Sequence, residues 1–291
     1  MFEGAIPALV TPFKEDGEID ESGYRENIEF LIENGISAIV PCGCTGEAAT
    51  LSFEEHKRLI DVAIDCSTVP VIAGTGSNNT KEAIELTKHA KDAGADGALI
   101  ITPYYNKPND TGMKKHYKSV AEAVDIPIIL YNVPSRTGIN LKPEIVAELA
   151  TLPNIVGVKE ASGNLGQISD IIMQTQDQDF IVLSGDDLLT LPILALGGVG
   201  VISVAANIVP KKVADLCSSF KKGDIESAKK IHYELAPLFR ALFLETNPIP
   251  VKCATKLIGL ASGDPRLPLA SISNDNEQKL KEVLSNLGIE G

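Results

Sequence analysis

Eight short, nearly all-apolar runs, separated by helix-like segments, limit what this chain can fold into. The runs are Ala5–Pro12, Ala38–Pro41, Val71–Gly74, Gly97–Thr102, Ile128–Asn132, Ile155–Lys159, Ile181–Gly185 and Gly200–Val204. Most are rich in β-branched residues. Continuous apolar strands of this kind belong to parallel sheets covered on both faces, since a half-exposed strand would alternate apolar with polar residues. The segments between them are amphipathic. Phe53–Ile64 sets Phe53, Leu59, Ile60 and Ala63 against Glu54, Glu55, Lys57 and Arg58, and Lys81–Ala93 carries a stripe of Ala83, Ile84, Leu86 and Ala90. Ser52 and Thr80 stand at their starts, each followed by acidic residues in the first turn. Strands alternating with helices, with no hairpin signal, predict a (β/α)8 TIM barrel rather than an open doubly wound sheet.

The barrel is complete by about residue 223 of the 291. Asp224–Leu244, Pro248–Leu260 and Asn274–Leu287 predict three more helices, with no flexible linker before them. The expected organisation is a catalytic barrel over 1–223 and a C-terminal helical appendix, 224–291, packed on it. Leu188–Ala206 has no charged residue and is long enough to span a bilayer. Pro192 and Gly197-Gly198-Val199-Gly200 break it, so a buried helix, a tight turn and a buried strand are expected there.

Charge and cysteine content narrow the partners. The chain has 26 basic and 39 acidic side chains, a net of −13, which repels nucleic acid and anionic membrane surfaces. Five cysteines form an odd set without disulfide spacing, and Met1–Phe13 has neither the basic nor the long apolar stretch of a secretion signal. A cytoplasmic location with reduced thiols is expected.

Barrel active sites gather at the C-terminal ends of the strands. Lys159 ends Ile155-Val156-Gly157-Val158 and points either into the barrel mouth or into the helix layer; strand placement alone leaves both open. In the mouth, burial would lower its pKa from a value at which about 1 molecule in 2,500 is neutral at pH 7. A lysine so tuned is an amine nucleophile toward carbonyls; in the helix layer its stem would pack and its head reach water. Tyr131 ends the neighbouring run and is either a proton carrier beside Lys159 or a core tyrosine. Arg136, in a loop bounded by Pro134 and Gly138, has the planar fork that suits a carboxylate, although most loop arginines are simply solvated.

Together the motifs Gly43-Cys44-Thr45-Gly46-Glu47, Tyr131-Asn132-Val133-Pro134-Ser135-Arg136-Thr137-Gly138 and Val158-Lys159-Glu160-Ala161-Ser162-Gly163 resemble those of the dihydrodipicolinate synthase family of pyruvate-dependent class I aldolases. The likeness extends to Ala73-Gly74-Thr75-Gly76, Thr102-Pro103-Tyr104-Tyr105-Asn106, Ser184-Gly185-Asp186-Asp187 and Asn247-Pro248-Ile249-Pro250-Val251-Lys252. The resemblance implies a condensation of pyruvate with L-aspartate 4-semialdehyde in lysine and diaminopimelate biosynthesis. It makes Lys159 the Schiff-base residue, Tyr131 the proton donor and acceptor, and Thr45 the ligand of pyruvate's carboxylate and a relay partner of Tyr131. Arg136 would hold the semialdehyde carboxylate, and the backbone at Gly185 and Ile202 would line the pyruvate pocket. Tyr105 would reach into a neighbouring subunit's site, implying a homo-oligomer, most often a homotetramer built as a dimer of dimers. No metal or organic cofactor is implied, because the lysine imine is the electron sink. Cys44 departs from the family's usual threonine. His56, Asn78, Glu82 and Tyr104 match the family's L-lysine inhibition site, whereas Ala48 and Phe53 depart from it.

Other patterns weigh less. Gly74-Thr75-Gly76 lacks the third glycine of a dinucleotide fingerprint. Cys42 and Cys44 have no second cysteine pair, and His56, His89, His116 and His232 are scattered over separate helices, against a zinc-dependent aldolase. The competing readings are a pyruvate aldolase acting on a 2-keto-3-deoxy sugar acid or N-acetylneuraminate, which Arg136 disfavours, and a barrel retained as a ligand sensor, which intact Lys159, Tyr131 and Thr45 disfavour.

Overall fold

The computed structural model describes residues 2–289; Met1 and residues 290–291, the outer ends of the two expected regions, lie outside it. Its strands are β1 (Gly4–Pro7), β2 (Ile72–Gly74), β3 (Gly97–Ile101), β4 (Ile128–Asn132), β5 (Ile155–Glu160), β6 (Ile181–Ser184) and β7 (Gly200–Ser203). They form one parallel sheet in the order β1-β7-β6-β5-β4-β3-β2.

Among the described residues the sheet has seven strands, one fewer than the runs in the sequence. The second run, 38–41, makes two parallel bridges instead of a full ladder, Ala8 to Val40 and Ile39 to Val71. Those bridges join the sheet's two edges. Val40 N donates to Pro7 O and Leu9 N to Val40 O on one side, and Ile39 N donates to Pro70 O and Ile72 N to Ile39 O on the other, each at 2.9 Å. Pro41 has no N–H to donate the next bond, which shortens the ladder without opening the barrel.

Side chains alternate across this wall. Ile6, Val40, Ile72, Leu99, Ile129 and Ile202 belong to the cluster inside the barrel. Their neighbours Ile39, Ala73, Ala98, Leu130 and Val201 face the surrounding helices. Each large apolar side chain so buried contributes about 1.5–3 kcal/mol relative to exposure.

The helices follow their sequence signals closely. Phe53–Cys66 starts at Ser52, whose side chain accepts from Glu55 N while Glu55 reaches back to Ser52 N. Phe53 itself is 40% exposed, off the buried stripe of Leu59, Ile60 and Ala63. The next helix, Thr80–Ala93, is capped one residue earlier than expected: Asn79 Oδ1 accepts from Lys81 N, leaving Thr80 as the first helical residue. Residues 188–206 fold as the helix Thr190–Leu196, a turn at Gly197 and β7. No helix among the described residues is long and apolar enough to cross a membrane.

Beyond the barrel come the helices Ile225–Ala241, Ile249–Leu257 and Asn274–Asn286. Leu235, Leu238, Phe239, Val251, Leu280 and Leu284 share one buried cluster with Ala5 and Val201 of the barrel. An ion pair binds the same regions: Lys252 Nζ lies 2.7 Å from Glu47 Oε1, with both side chains at most 1% exposed. Lys252 also donates to Thr11 O at 3.1 Å and stands 4.2 Å over the Phe13 ring. Removing one member of such a pair strands a charge in the interior. Lys252→Met is expected to lower the unfolding free energy by about 3–5 kcal/mol, and Glu47→Gln combined with Lys252→Met to lose less than the single lysine variant. Urea denaturation at pH 7 measures both, and equal stability of Lys252→Met and the parent chain would contradict this account.

Candidate active site

Which way Lys159 points is decided by an irregularity in β5. Ile128 of β4 pairs with Ile155, but Ile129 pairs with Gly157, so two residues of β5 answer one step of β4. Val156 is the extra residue of this bulge and packs toward the barrel interior. Unbroken alternation from Val156 would turn Lys159 outward. The bulge restores Gly157 to the inner phase, sends Val158 to the helix layer and turns Lys159 inward, level with Tyr131. Lys159 Nζ lies 4.3 Å from the centre of the Tyr131 ring.

Both side chains line a cavity of about 220 Å³ at the C-terminal mouth, together with Cys44, Thr45, Arg136, Gly185 and Asn247. Lys159 is 6% exposed, and burial lowers its pKa to about 8; Cys44 and Asp187 pull it up and Arg136 pushes it down. Burial also pushes the Tyr131 hydroxyl well above its usual range, and neighbouring Cys44 adds to that shift. At neutral pH the pair therefore combines a partly neutral amine with a protonated phenol. That combination can attack a carbonyl and pass protons to and from the adduct.

Gly185 is there for space. A Cβ on it would sit 2.7 Å from Ala161 Cβ and 3.1 Å from Lys159 Cγ, so any side chain would crowd the lysine stem. Ile202 is buried inside the barrel, and Val204, two residues on, is the β7-side residue on the cavity wall.

Thr45 and Arg136 converge on Asn247, a residue outside the strand-end motifs. Asn247 Nδ2 donates to Thr45 Oγ1 at 3.0 Å, and Arg136 Nη2 donates to Asn247 O at 2.7 Å. No direct hydrogen bond joins Thr45 to Tyr131 among the described residues; the relay expected between them is not closed, and Cys44 is the residue of that loop set beside Tyr131. The loop is strained at both ends of Cys44-Thr45, with positive φ at Cys42 (55°) and Glu47 (56°). Asp187 is a second residue without an assigned role. It accepts from Ser203 Oγ and from Val204 N and Ala205 N, which anchors the end of β7 close to Lys159.

Tyr105 is not brought to this mouth. It is 88% exposed and held at φ 70°, a conformation uncommon for a bulky residue. His56, Glu82 and Tyr104 line a second cavity, of about 490 Å³, with Ala48 and Phe53. Asn78 Nδ2 donates to Tyr104 O at 3.1 Å, and His56 Nε2 lies 2.7 Å from Gly74 O. The two cavities share Cys44, Tyr131, Arg136 and Asn247 in their walls. No group of three or more His, Cys, Asp or Glu among the described residues is arranged to hold a metal ion.

With pKa near 8, roughly one Lys159 in ten is neutral at pH 7. Reductive alkylation by a small carbonyl compound should therefore modify Lys159 ahead of surface lysines, at a rate that rises with pH and is half-maximal near pH 8. A midpoint near that of free lysine would contradict its burial. Gly185→Ala should slow the same reaction by displacing the stem.

Residues 1–287 match the model of the dihydrodipicolinate synthetase family. A 4-hydroxy-tetrahydrodipicolinate synthase of Methanosarcina mazei is 62% identical over 289 residues, covering 99% of each chain. The crystal structure of the Aquifex aeolicus dihydrodipicolinate synthase superposes with a TM-score of 0.97 at 50% identity, covering 99% of each chain. The chloride-inhibited enzyme of Acinetobacter baumannii, solved in complex with pyruvate, superposes with a TM-score of 0.97 at 45% identity, covering 99% of this chain and 100% of that one.

Proposed function

Because the chain belongs to the dihydrodipicolinate synthetase family, we propose how its mouth residues carry out the family's reaction, the condensation of pyruvate with L-aspartate 4-semialdehyde. The chain is a lyase of lysine and diaminopimelate biosynthesis with 4-hydroxy-tetrahydrodipicolinate synthase activity. The observation that carries the mechanism is the inward Lys159 amine, its pKa lowered to about 8, stacked on Tyr131.

In its neutral form Lys159 attacks the ketone carbon of pyruvate. Tyr131 protonates the oxygen of the resulting carbinolamine, and water leaves as the imine forms. Thr45 holds the pyruvate carboxylate, and the backbone at Gly185 and Ile202 lines the pyruvate pocket. The cationic imine nitrogen draws electrons from the adjacent methyl, which loses a proton to the Tyr131 oxygen; the enamine so formed attacks the aldehyde carbon of the semialdehyde, whose oxygen takes that proton from Tyr131. Arg136, lining the cavity beside Asn247, holds the semialdehyde's carboxylate. The substrate amine then displaces Lys159 from the imine carbon, closes the ring and returns the free lysine. The imine nitrogen serves as the electron sink, so the scheme needs no metal or organic cofactor. A polyol substrate would call for hydroxyl-binding groups where Arg136 stands, which weighs against a sugar-acid aldolase.

Residues 1–223 form the catalytic barrel in this reading, and 224–291 the helical region packed on it. The protein works as a homo-oligomer, most simply a homotetramer, with exposed Tyr105 of one subunit completing its neighbour's site; its strained φ is then explained by an intersubunit contact. The location is cytoplasmic, in keeping with five free cysteines, and neither nucleic acid nor membrane is a partner.

Steady-state kinetics test the reading. Pyruvate should be consumed with L-aspartate 4-semialdehyde and not with sugar-derived aldehydes. Arg136→Ala should raise KM for the semialdehyde about tenfold or more, since a charge-assisted contact is lost, with little change in KM for pyruvate. Turnover with sugar aldehydes alone would overturn it.

A further inference from the structure

Asn247 lies outside the barrel, yet it touches both side chains assigned to substrate carboxylates. Its Nδ2 donates to Thr45 Oγ1 at 3.0 Å, and its backbone carbonyl accepts from Arg136 Nη2 at 2.7 Å. The residue is 4% exposed, and its Oδ1 is buried with no hydrogen-bond partner.

The direction of the first bond matters. A hydroxyl has one proton and two lone pairs. With the amide N–H directed at its oxygen, Thr45 keeps its proton free for an acceptor in the cavity. With the amide reversed, Thr45 would donate that proton to Oδ1 and offer a carboxylate only lone pairs. The second bond works in the same way on Arg136: the carbonyl takes one of five N–H donors and anchors the planar fork, leaving the others for a ligand.

We propose that Asn247 is a positioning residue that couples the two substrate sites, setting Thr45 as a donor to the pyruvate carboxylate and fixing Arg136 for the semialdehyde carboxylate. The inference rests on the functional reading above. It adds a residue from the C-terminal region that acts through Thr45 and Arg136 and touches no reacting atom.

Borohydride trapping of pyruvate on the full-length protein tests it, using the parent chain, Asn247→Ala, Asn247→Asp, Thr45→Val and the Thr45→Val/Asn247→Ala pair. Asn247→Ala is expected to raise the half-saturating pyruvate concentration about tenfold. The trapping rate at saturation and its pH midpoint should stay unchanged, because Lys159 is untouched. Asn247→Asp has the same shape but, ionised, cannot donate to Thr45, so it should be at least as impaired as the alanine variant. In the Thr45→Val background the alanine change should add nothing further for pyruvate. KM for the semialdehyde should rise in both Asn247 variants, as the carbonyl under Arg136 loses its fixed position. Near-parent behaviour of Asn247→Asp, or effects of Thr45→Val and Asn247→Ala that multiply, would overturn the proposal. Thermal unfolding checks each fold, and the near-isosteric aspartate variant carries the test if the alanine variant does not fold. Absence of any pyruvate adduct on the parent chain would remove the functional reading as well, whereas normal trapping with multiplying effects removes the coupling alone.

Discussion

Burial of the Lys159 ammonium inside a closed parallel barrel is the constraint to which the other features of the mouth answer. Taking that group out of water disfavours its charged form, and its pKa falls to about 8. Neighbours moderate the fall: Cys44 and Asp187 favour the charge, and the Tyr131 ring lies beneath Nζ. The same burial keeps the Tyr131 hydroxyl protonated. One desolvated layer thus yields a nucleophile and a proton donor together.

Holding that layer requires a closed wall and an anchored loop. The bridges at 38–41 close the sheet between β1 and β2, and the chain leaves them directly into Cys44 and Thr45. The turn that follows is strained, and the buried Glu47–Lys252 pair ties it to the C-terminal helices. The turn between Ile225–Ala241 and Ile249–Leu257 supplies Asn247, to which Thr45 and Arg136 are both bonded. The C-terminal region is therefore part of the site's framework, sharing a core with the barrel rather than sitting beside it.

Much of this was legible in the sequence because burial on both faces leaves an unmistakable apolar run. All eight runs take wall positions, and the broken stretch at 188–206 folds as its Pro and Gly residues indicate. The orientation of Lys159 was not legible from alternation, since the bulge at Val156 reverses the phase three residues before it. Gly157 in mid-strand was the available signal, as glycine there often marks a bulge. The cap of the helix at 80–93 was misplaced by one residue because Asn79 and Thr80 are both good caps. Asn247 had no periodic pattern around it, and its role appears only when the chain's distant parts meet. Tyr105, to which the family resemblance gives a role, is exposed within a single chain and held at positive φ.

The mechanism depends most directly on Lys159 forming the imine. Electrospray mass of the protein incubated with pyruvate and reduced with borohydride reads this in one step. The expected result is one reduced pyruvate adduct per chain, pyruvate less water plus two hydrogens, mapped by peptide mass to Lys159. An unmodified chain, or an adduct on another lysine with Lys159 free, would contradict it.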